Sequence, residues 1–327
     1  MFTAVTEASQ VAGARRMVSD LAGRIGLPRA RIDQIAIVVT ELATNLLKHA
    51  GGGHIHATAC DDADGRGLEL LALDRGNGMH DPARCMQDGY STAGSPGTGL
   101  GAVTRLADSV RIYSRPGQGC AIMVRFVERI APDASTLLGA ALAPYPGEPV
   151  CGDNWAWSDA ANGRTIMLVD GSGHGVEAAR AAETAIRTFA QHANGSCEEI
   201  VERLHRALAP TRGAAVAVAR IDATARVVRF VGVGNVSAVL VNEGNTRHMI
   251  SHNGTAGHVA PRIREFVYDW TVDPLVILHS DGLTSRWDLA AYPGLTVQHP
   301  SLVAGVLLRD HRRGRDDASV VAMRAAR

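Results

Sequence analysis

Val39-Thr40-Glu41-Leu42-Ala43-Thr44-Asn45-Leu46-Leu47-Lys48-His49-Ala50 places apolar residues at 39, 42, 43, 46 and 47. That is the spacing of one helix face. Ile32, Ile35 and Ala36 extend the pattern backwards, so a helix is predicted over 29–49, ended by Gly51-Gly52-Gly53. Glu41 and Asn45 lie four residues apart and share a face of it. A carboxylate at Glu41 can take the proton of an attacking hydroxyl. Asn45, one turn on, offers a neutral oxygen to Mg²⁺, which keeps few protein ligands when it sits beside phosphates.

Outward from this helix the same reading gives a complete small fold. Val11, Met17, Val18, Leu21 and Ile25 predict a helix over 9–25, with a break at Pro28. Strands are predicted at 54–60 and 68–73, then a long loop over 75–97 and a helix over 98–107. Two more strands, 109–114 and 120–127, are joined by the turn Arg115-Pro116-Gly117-Gln118-Gly119. Helices, sheet and one long loop make an α+β sandwich complete by about residue 128.

Two glycine-rich pieces sit at its element ends. Asp74-Arg75-Gly76-Asn77-Gly78 follows a strand, and Gly97-Thr98-Gly99-Leu100-Gly101 precedes a helix. Asp74 can accept a hydrogen bond from an exocyclic amine such as that of adenine. Gly76 and Gly78 let the backbone pass close to a ring. The second piece feeds a helix N-terminus, where free N–H groups and the helix dipole favour phosphate. Singly, each is an ordinary turn or a solvated helix face; the order and placement of all of them point to a nucleotide site without a Walker motif.

These residues carry a resemblance over 1–128. Val39–Ala50 is similar to the N box of the GHKL ATPase/kinase superfamily, Asp74–Gly78 to its G1 box and Gly97–Gly101 to its G2 box. Within the superfamily the likeness is greatest to small serine/threonine kinases and anti-sigma factors of the RsbT type. Asp88-Gly89-Tyr90-Ser91-Thr92-Ala93-Gly94 looks like the lid of such kinases. The resemblance implies a Bergerat α/β sandwich, ATP with Mg²⁺ as ligand, Glu41 as base and Asn45 as Mg²⁺ holder. It implies that Asp74, Gly76, Gly78, Gly97, Thr98, Gly99, Leu100 and Gly101 bind the nucleotide.

Residues 129–135 read as a linker with Pro132, and 136–327 as a second domain. Strands are predicted near 137–143, 154–158, 164–169, 214–221, 226–233, 236–241, 275–280 and 318–323, with helices at 175–192 and 197–208. Acids stand at the strand ends: Gly152-Asp153, Val169-Asp170-Gly171-Ser172-Gly173-His174-Gly175, Ser280-Asp281-Gly282 and Asp316-Asp317-Ala318-Ser319. Hard divalent cations want such oxygens, and a carboxylate-bridged pair serves attack on a phosphoryl group. Taken one by one, Asp-Gly pairs are common turns.

The set resembles the metal-dependent phosphatase (PPM) family in its bacterial SpoIIE/RsbU/RsbX branch. That implies an αββα sandwich with two Mn²⁺ or Mg²⁺. Asp170 would bridge both, Asp153 and the Gly171 carbonyl would serve one, and Asp281 and Asp316 the other. Ser251 to Arg264 does not align with the pattern.

Composition sets the remaining bounds. Of 327 residues 46% are apolar and only 4% aromatic, so the cores must be built of Ala, Val, Leu and Ile. Lys+Arg and Asp+Glu both count 33, which gives no electrostatic reason for a nucleic-acid or membrane partner. Five scattered Cys argue against disulfides and for a cytoplasmic protein. His54 and His56 share a strand face without a third zinc ligand, so a solvated face is expected. Trp155 and Trp157 are expected in the core.

The expectation is a bifunctional regulator. One domain phosphorylates and the other dephosphorylates Ser or Thr on STAS-domain proteins of sigma-factor or stressosome pathways. The alternative is a nucleotide-bound anti-sigma-type binding module fused to an active phosphatase.

Overall fold

The computed structural model describes residues 1–62, 65–86, 99–127, 136–160, 163–260 and 262–325. The expected linker 129–135, the stretch 88–94, Gly97 and Thr98 lie outside the described residues. The chain divides into two compact units, Met1–Ala134 and Ser135–Arg327.

Unit 1 contains β1 (Phe2–Val5), α1 (Ala8–Arg24), α2 (Arg29–Ala50), β2 (Gly53–Asp62), β3 (Gly65–Asp74), α3 (Pro82–Cys85), α4 (Gly99–Leu106), β4 (Ser109–Ser114) and β5 (Cys120–Val127). The strands form an antiparallel sheet in the order β1-β2-β3-β5-β4. Val18 of α1 and Ile35, Leu42 and Leu46 of α2 bury their stripes against Ile55, Leu70 and Val124 of the sheet. Strand alternation puts those residues on one face. Gly51, at φ +69°, caps α2 through a bond from its N–H to the Leu46 carbonyl. At the helix start, Arg31 grips both oxygens of Asp108 at 2.6 Å, tying α2 to the turn before β4.

His56 departs from the solvated face expected of it. It is 1% exposed, and burial, with the Met1 ammonium second, pushes its pKa down to about 3. His54 stacks on Phe2 with ring centroids 4.6 Å apart.

Unit 2 begins with β6 (Thr136–Ala143), β7 (Asp153–Ala160), β8 (Gly163–Gly171), α5 (Val176–His192), α6 (Cys197–Leu208), β9 (Ala214–Asp222) and β10 (Val227–Val233). It continues with β11 (Ser237–Asn242), β12 (Asn245–Met249), β13 (Ser251–His252), β14 (Phe266–Asp269), β15 (Leu275–His279), α7 (Pro300–His311) and β16 (Ala318–Ala325). One sheet runs β13-β10-β9-β8-β7, with β14 also on β10; the other runs β12-β11-β15-β16-β6.

Ile166, Leu168, Ala217 and Phe230 of the first sheet meet Leu138, Leu240, Leu278 and Met323 of the second, and Trp155 and Trp157 pack at the edge of this core. Outside the first sheet, Ala182, Phe189, Ile200 and Leu204 of α5 and α6 cover Val169, Val216 and Val218. On the far side α7 lies so near β6 that a Cβ on Gly139 would stand 2.0 Å from the Ser301 nitrogen. The layers are therefore helix, sheet, sheet, helix. Among the described residues no helix is long and apolar enough to cross a membrane.

One charged side chain fixes the helical layer. Arg220 of β9, 2% exposed, donates to the Thr165 hydroxyl at 2.7 Å and to the carbonyls of Ala193 and Gly195 at 2.9 and 2.7 Å. Those carbonyls end α5, where a cation also opposes the negative pole of the helix dipole. Arg220→Met would strand buried acceptors, and hydrogen bonds to a charged group are worth about 1.5–3 kcal/mol each. We expect a loss of about 3 kcal/mol in unit 2, read as a lower urea midpoint at unchanged slope; an unchanged midpoint would contradict the role.

Candidate active sites

In unit 1 a cavity of about 360 Å³ opens between α2, the end of β3 and the start of α4. Asn45, Asp74, Gly78, Gly99 and Leu100 of the expected set line it. Its walls also include Leu42, Met79 and Ile122, which supply apolar surface for a planar ring. Asp74 is held by its backbone surroundings: its Oδ1 accepts from Gly76 N at 2.8 Å and Cys120 N at 3.1 Å. The Gly76 loop sits against the end of α2, where a Cβ on Gly76 would approach Ala50 Cβ to 2.7 Å. At Gly78, φ is +65° and a Cβ would clash with the Arg115 carbonyl at 2.1 Å, so glycine is required twice over.

Glu41 does not line the cavity; it stands at its margin, its Oε2 3.2 Å from the position a Cβ on Gly99 would take. Asn45 lies 3.8 Å from the same position. The N-terminus of α4 therefore abuts both polar groups of α2. Gly101 is buried within α4, and neither it nor Gly76 faces the cavity. His49, one further turn along from Asn45, lines the cavity too. Its spacing of four from Asn45 was the available signal.

In unit 2 the acids gather at one end of the sheets. Asp153 opens β7 and Asp170 ends β8, and the two are direct cross-strand partners. Asp281 follows β15 and Asp316 precedes β16, strands that are themselves paired. Asp170, Asp281 and Asp316 line one cavity of about 460 Å³. Burial, then Asp153, Asp281, Asp316 and Asp317 in turn, push the Asp170 carboxyl well above the usual carboxylate range. Asp153, 2% exposed, is pushed up to about 7 by burial, even though Ser319 Oγ donates to its Oδ2 at 2.7 Å. Asp316 is raised as well, by burial and then by Asp281 and Asp317.

These observations fit a cation-binding site. Asp153 Oδ1 and Asp317 Oδ2 are buried without a hydrogen-bond partner among the described residues. Three glycines bring the acid-bearing loops together. A Cβ on Gly152 would meet Asp317 Oδ2 at 2.7 Å, one on Gly171 the Ala178 carbonyl at 2.3 Å, and one on Gly282 the Asp317 carbonyl at 1.9 Å. Among the described residues no trio of His, Cys, Asp or Glu is drawn into a finished cage for one ion. The acids surround the cavity and act on each other through their field, and oxygen donors of this kind suit Mg²⁺ or Mn²⁺. Asp317, the neighbour of Asp316, turns inward: it is 2% exposed and its Oδ1 accepts from Tyr145 N at 2.8 Å.

Sequence reading did not find the rest of this site. Asn235 Nδ2 donates to Asp281 Oδ2, fixing that carboxylate. Glu148 holds His174 through Nδ1 at 2.8 Å, and Tyr145 stacks on the same ring at 4.2 Å. Asn253 and Thr255 complete the cavity from a stretch that matched no motif.

Both units match known protein families. The histidine kinase-like ATPase domain family matches residues 4–125, and the Stage II sporulation protein E (SpoIIE) family matches residues 161–326. Serine/threonine-protein kinase RsbT of Bacillus subtilis (strain 168) is 34% identical over 112 residues, 34% of this chain and 84% of RsbT. A chain solved from the bacterial stressosome, a modular system adapted to control secondary messenger signalling, is 26% identical. It aligns with a TM-score of 0.54 over 57% of this chain and 98% of its own. RsbX solved with magnesium shares the fold at 19% identity and a TM-score of 0.52, over 58% of this chain and 96% of RsbX. With an RsbT-like kinase fold in residues 4–125 and a phosphatase fold whose family match fills residues 161–326, the chain belongs to the RsbT family in its first unit and to the SpoIIE family in its second.

Proposed function

We propose that the chain is a bifunctional signalling regulator, with an ATP-dependent serine/threonine kinase in unit 1 and a metal-dependent phosphoserine/phosphothreonine phosphatase in unit 2. The observation that carries the reading is the acid-lined cavity of unit 2, where Asp170, Asp281 and Asp316 converge beside buried Asp153.

In unit 1 the Asp74 carboxylate accepts the adenine amine, held in place by the two backbone donors on its Oδ1. Asn45 would hold Mg²⁺ beside the phosphates, and Gly99 opens the helix that would receive them. Gly97 and Thr98 are assigned the same role from the sequence before that helix, and Gly101 from within it. Glu41 takes the proton of the attacking Ser or Thr hydroxyl as its oxygen bonds to the γ-phosphorus and ADP leaves.

In unit 2 the residues that would hold two Mn²⁺ or Mg²⁺ are Asp170, shared between them, Asp153 with the Gly171 carbonyl for one, and Asp281 with Asp316 for the other. When bound, such a pair supplies the positive charge that polarises a phosphoryl group and acidifies water. The protein's own part is geometric: Asn235 orients Asp281, Ser319 orients Asp153, and the glycine contacts hold the four loops in register.

The partner is read as a STAS-domain regulator of the kind RsbT-like proteins serve, and the setting as cytoplasmic. The units are joined by roughly eight residues of sequence, which would give both sites a high effective concentration of one partner. Phosphorylation adds about −1.5 to −2 charge, so one unit would set that charge and the other clear it.

Three outcomes follow. Asp74→Asn keeps an oxygen for the backbone donors but turns an N–H₂ toward the base; calorimetry should show ATP affinity lowered about 10- to 100-fold, and unchanged affinity would contradict the site. Asp170→Asn should abolish phosphate-ester hydrolysis with Mn²⁺, as should EDTA on the unaltered chain; full activity in either case would sink the assignment. With ATP and a STAS-domain partner encoded nearby, Asp281→Asn should accumulate phosphorylated partner by mass spectrometry, and Glu41→Ala should yield none. If Asp281→Asn accumulates no more than the unaltered chain, the two activities are not opposed on that partner. Continued ATP-dependent partner binding without any phosphorylation would identify unit 1 as a binding module.

A further inference from the structure

The stretch 251–260, which carries none of the acidic motifs that define the phosphatase resemblance, builds a wall of the acid-lined cavity. It is firmly fixed. His252 pairs with Val233 at the end of β10, and Gly234 N donates to the His252 carbonyl at 2.8 Å. Ala214 and Ala256 exchange both backbone bonds, at 3.0 and 2.8 Å. Gly257 N donates to His205 Nδ1 of α6 at 3.1 Å. Thr255 N closes a turn onto the Val259 carbonyl at 2.7 Å. Gly213 links the wall to the loop after Asp170: its carbonyl accepts from Ser172 N at 3.0 Å, and a Cβ there would meet Thr255 Cγ2 at 2.7 Å.

The wall differs chemically from the one it faces. Asp170, Asp281 and Asp316 present only carboxylates. Asn253 and Thr255 present an amide and a hydroxyl, each able to donate and accept. Among the described residues neither side chain makes a hydrogen bond, whereas the Asn235 amide is committed to Asp281. Between the walls lie Ala215, Gly234 and Gly254, so the floor is smooth. No large apolar or aromatic side chain lines the cavity among the described residues.

A groove with a flat glycine floor and neutral donor–acceptor pairs suits a peptide main chain. It offers no recess for flanking side chains. A phosphoryl group alone would call for cations, and Arg212 rather than the wall meets that need: its Nη1 lies 3.3 Å from the Cβ position of Gly173, at the cavity lip. We propose that Asn253 and Thr255 hold the main chain of the substrate segment next to its phosphorylated Ser or Thr. On this account, which rests on the phosphatase reading above, unit 2 acts on an extended phosphorylated segment and is indifferent to the identity of its flanking side chains.

The test uses the full chain with Mn²⁺ and two substrates, p-nitrophenyl phosphate and a nine-residue phosphothreonine peptide. Asn253→Ala and the isosteric Thr255→Val should each raise the peptide KM about tenfold at unchanged kcat, the worth of one hydrogen bond to a main chain. The loss on p-nitrophenyl phosphate, which has no main chain, should be at least about fivefold smaller than on the peptide, and Thr255→Ser should restore the peptide KM. A peptide N-methylated at the amide beside the phosphothreonine should lose a similar factor on the unaltered chain, without further loss on Asn253→Ala or on Thr255→Val. An unchanged peptide KM, equal losses on both substrates, or full tolerance of N-methylation would overturn the proposal. Failure of the unaltered chain to hydrolyse p-nitrophenyl phosphate would overturn the phosphatase reading itself.

Discussion

Two carboxylates, Asp153 and Asp170, stand opposite one another on neighbouring strands, the first buried and the second half-buried at a cavity wall. Such an arrangement opposes itself: desolvation and mutual repulsion both disfavour the charged forms. It persists because the surrounding fold leaves the side chains nowhere else to go. Gly152, Gly171 and Gly282 let the three supporting loops touch backbone to backbone or backbone to carboxylate. Ser319 and Asn235 then fix individual oxygens. The two sheets, the glycine turns and the placement of α5 all serve this one unfavourable contact, which becomes favourable only with countercharge.

Unit 1 solves a milder problem by the same means. Asp74 is given two backbone donors, so its negative charge is supported at the cavity wall. Gly76 and Gly78 bring that loop against α2 and the β4–β5 turn. In both units the ligand-facing acids are simple to name, and the precision of their placement comes from residues with no side chain at all.

That division explains what the sequence could reveal. α1 and α2 carry clean apolar stripes and were legible to within a residue or two, as were β4 and β5, bounded by a Pro-Gly turn. α7 escaped because Pro300 to Leu308 is buried on every side and has no polar face to give it a period. β12 escaped for the opposite reason: four of its five residues are exposed and polar. Asp153, Asp170 and Asp281 were legible because each sits beside a glycine at a strand end, and Asp316 because it doubles with Asp317 just before a strand. Asn253, Thr255 and Glu148 were not, since an isolated Asn, Thr or Glu acquires meaning only when distant segments meet. His56 misled through its alternation with His54, which says that two residues share a face and not whether that face is wet.

The pairing of β6 with β16 joins the first and last strands of unit 2, Thr136 lying opposite Ala325. The second sheet therefore cannot close until β16 has been made. α7, which needs β6 and β16 to cover it, must wait as well. Asp316 and Asp317 are made just before that strand. Without β16, β15 and β6 would each keep an open edge, and Asp316 and Asp317 would hang unanchored beside the other acids. The layout ties the assembly of the acid cluster to the strand pairing that closes the second sheet.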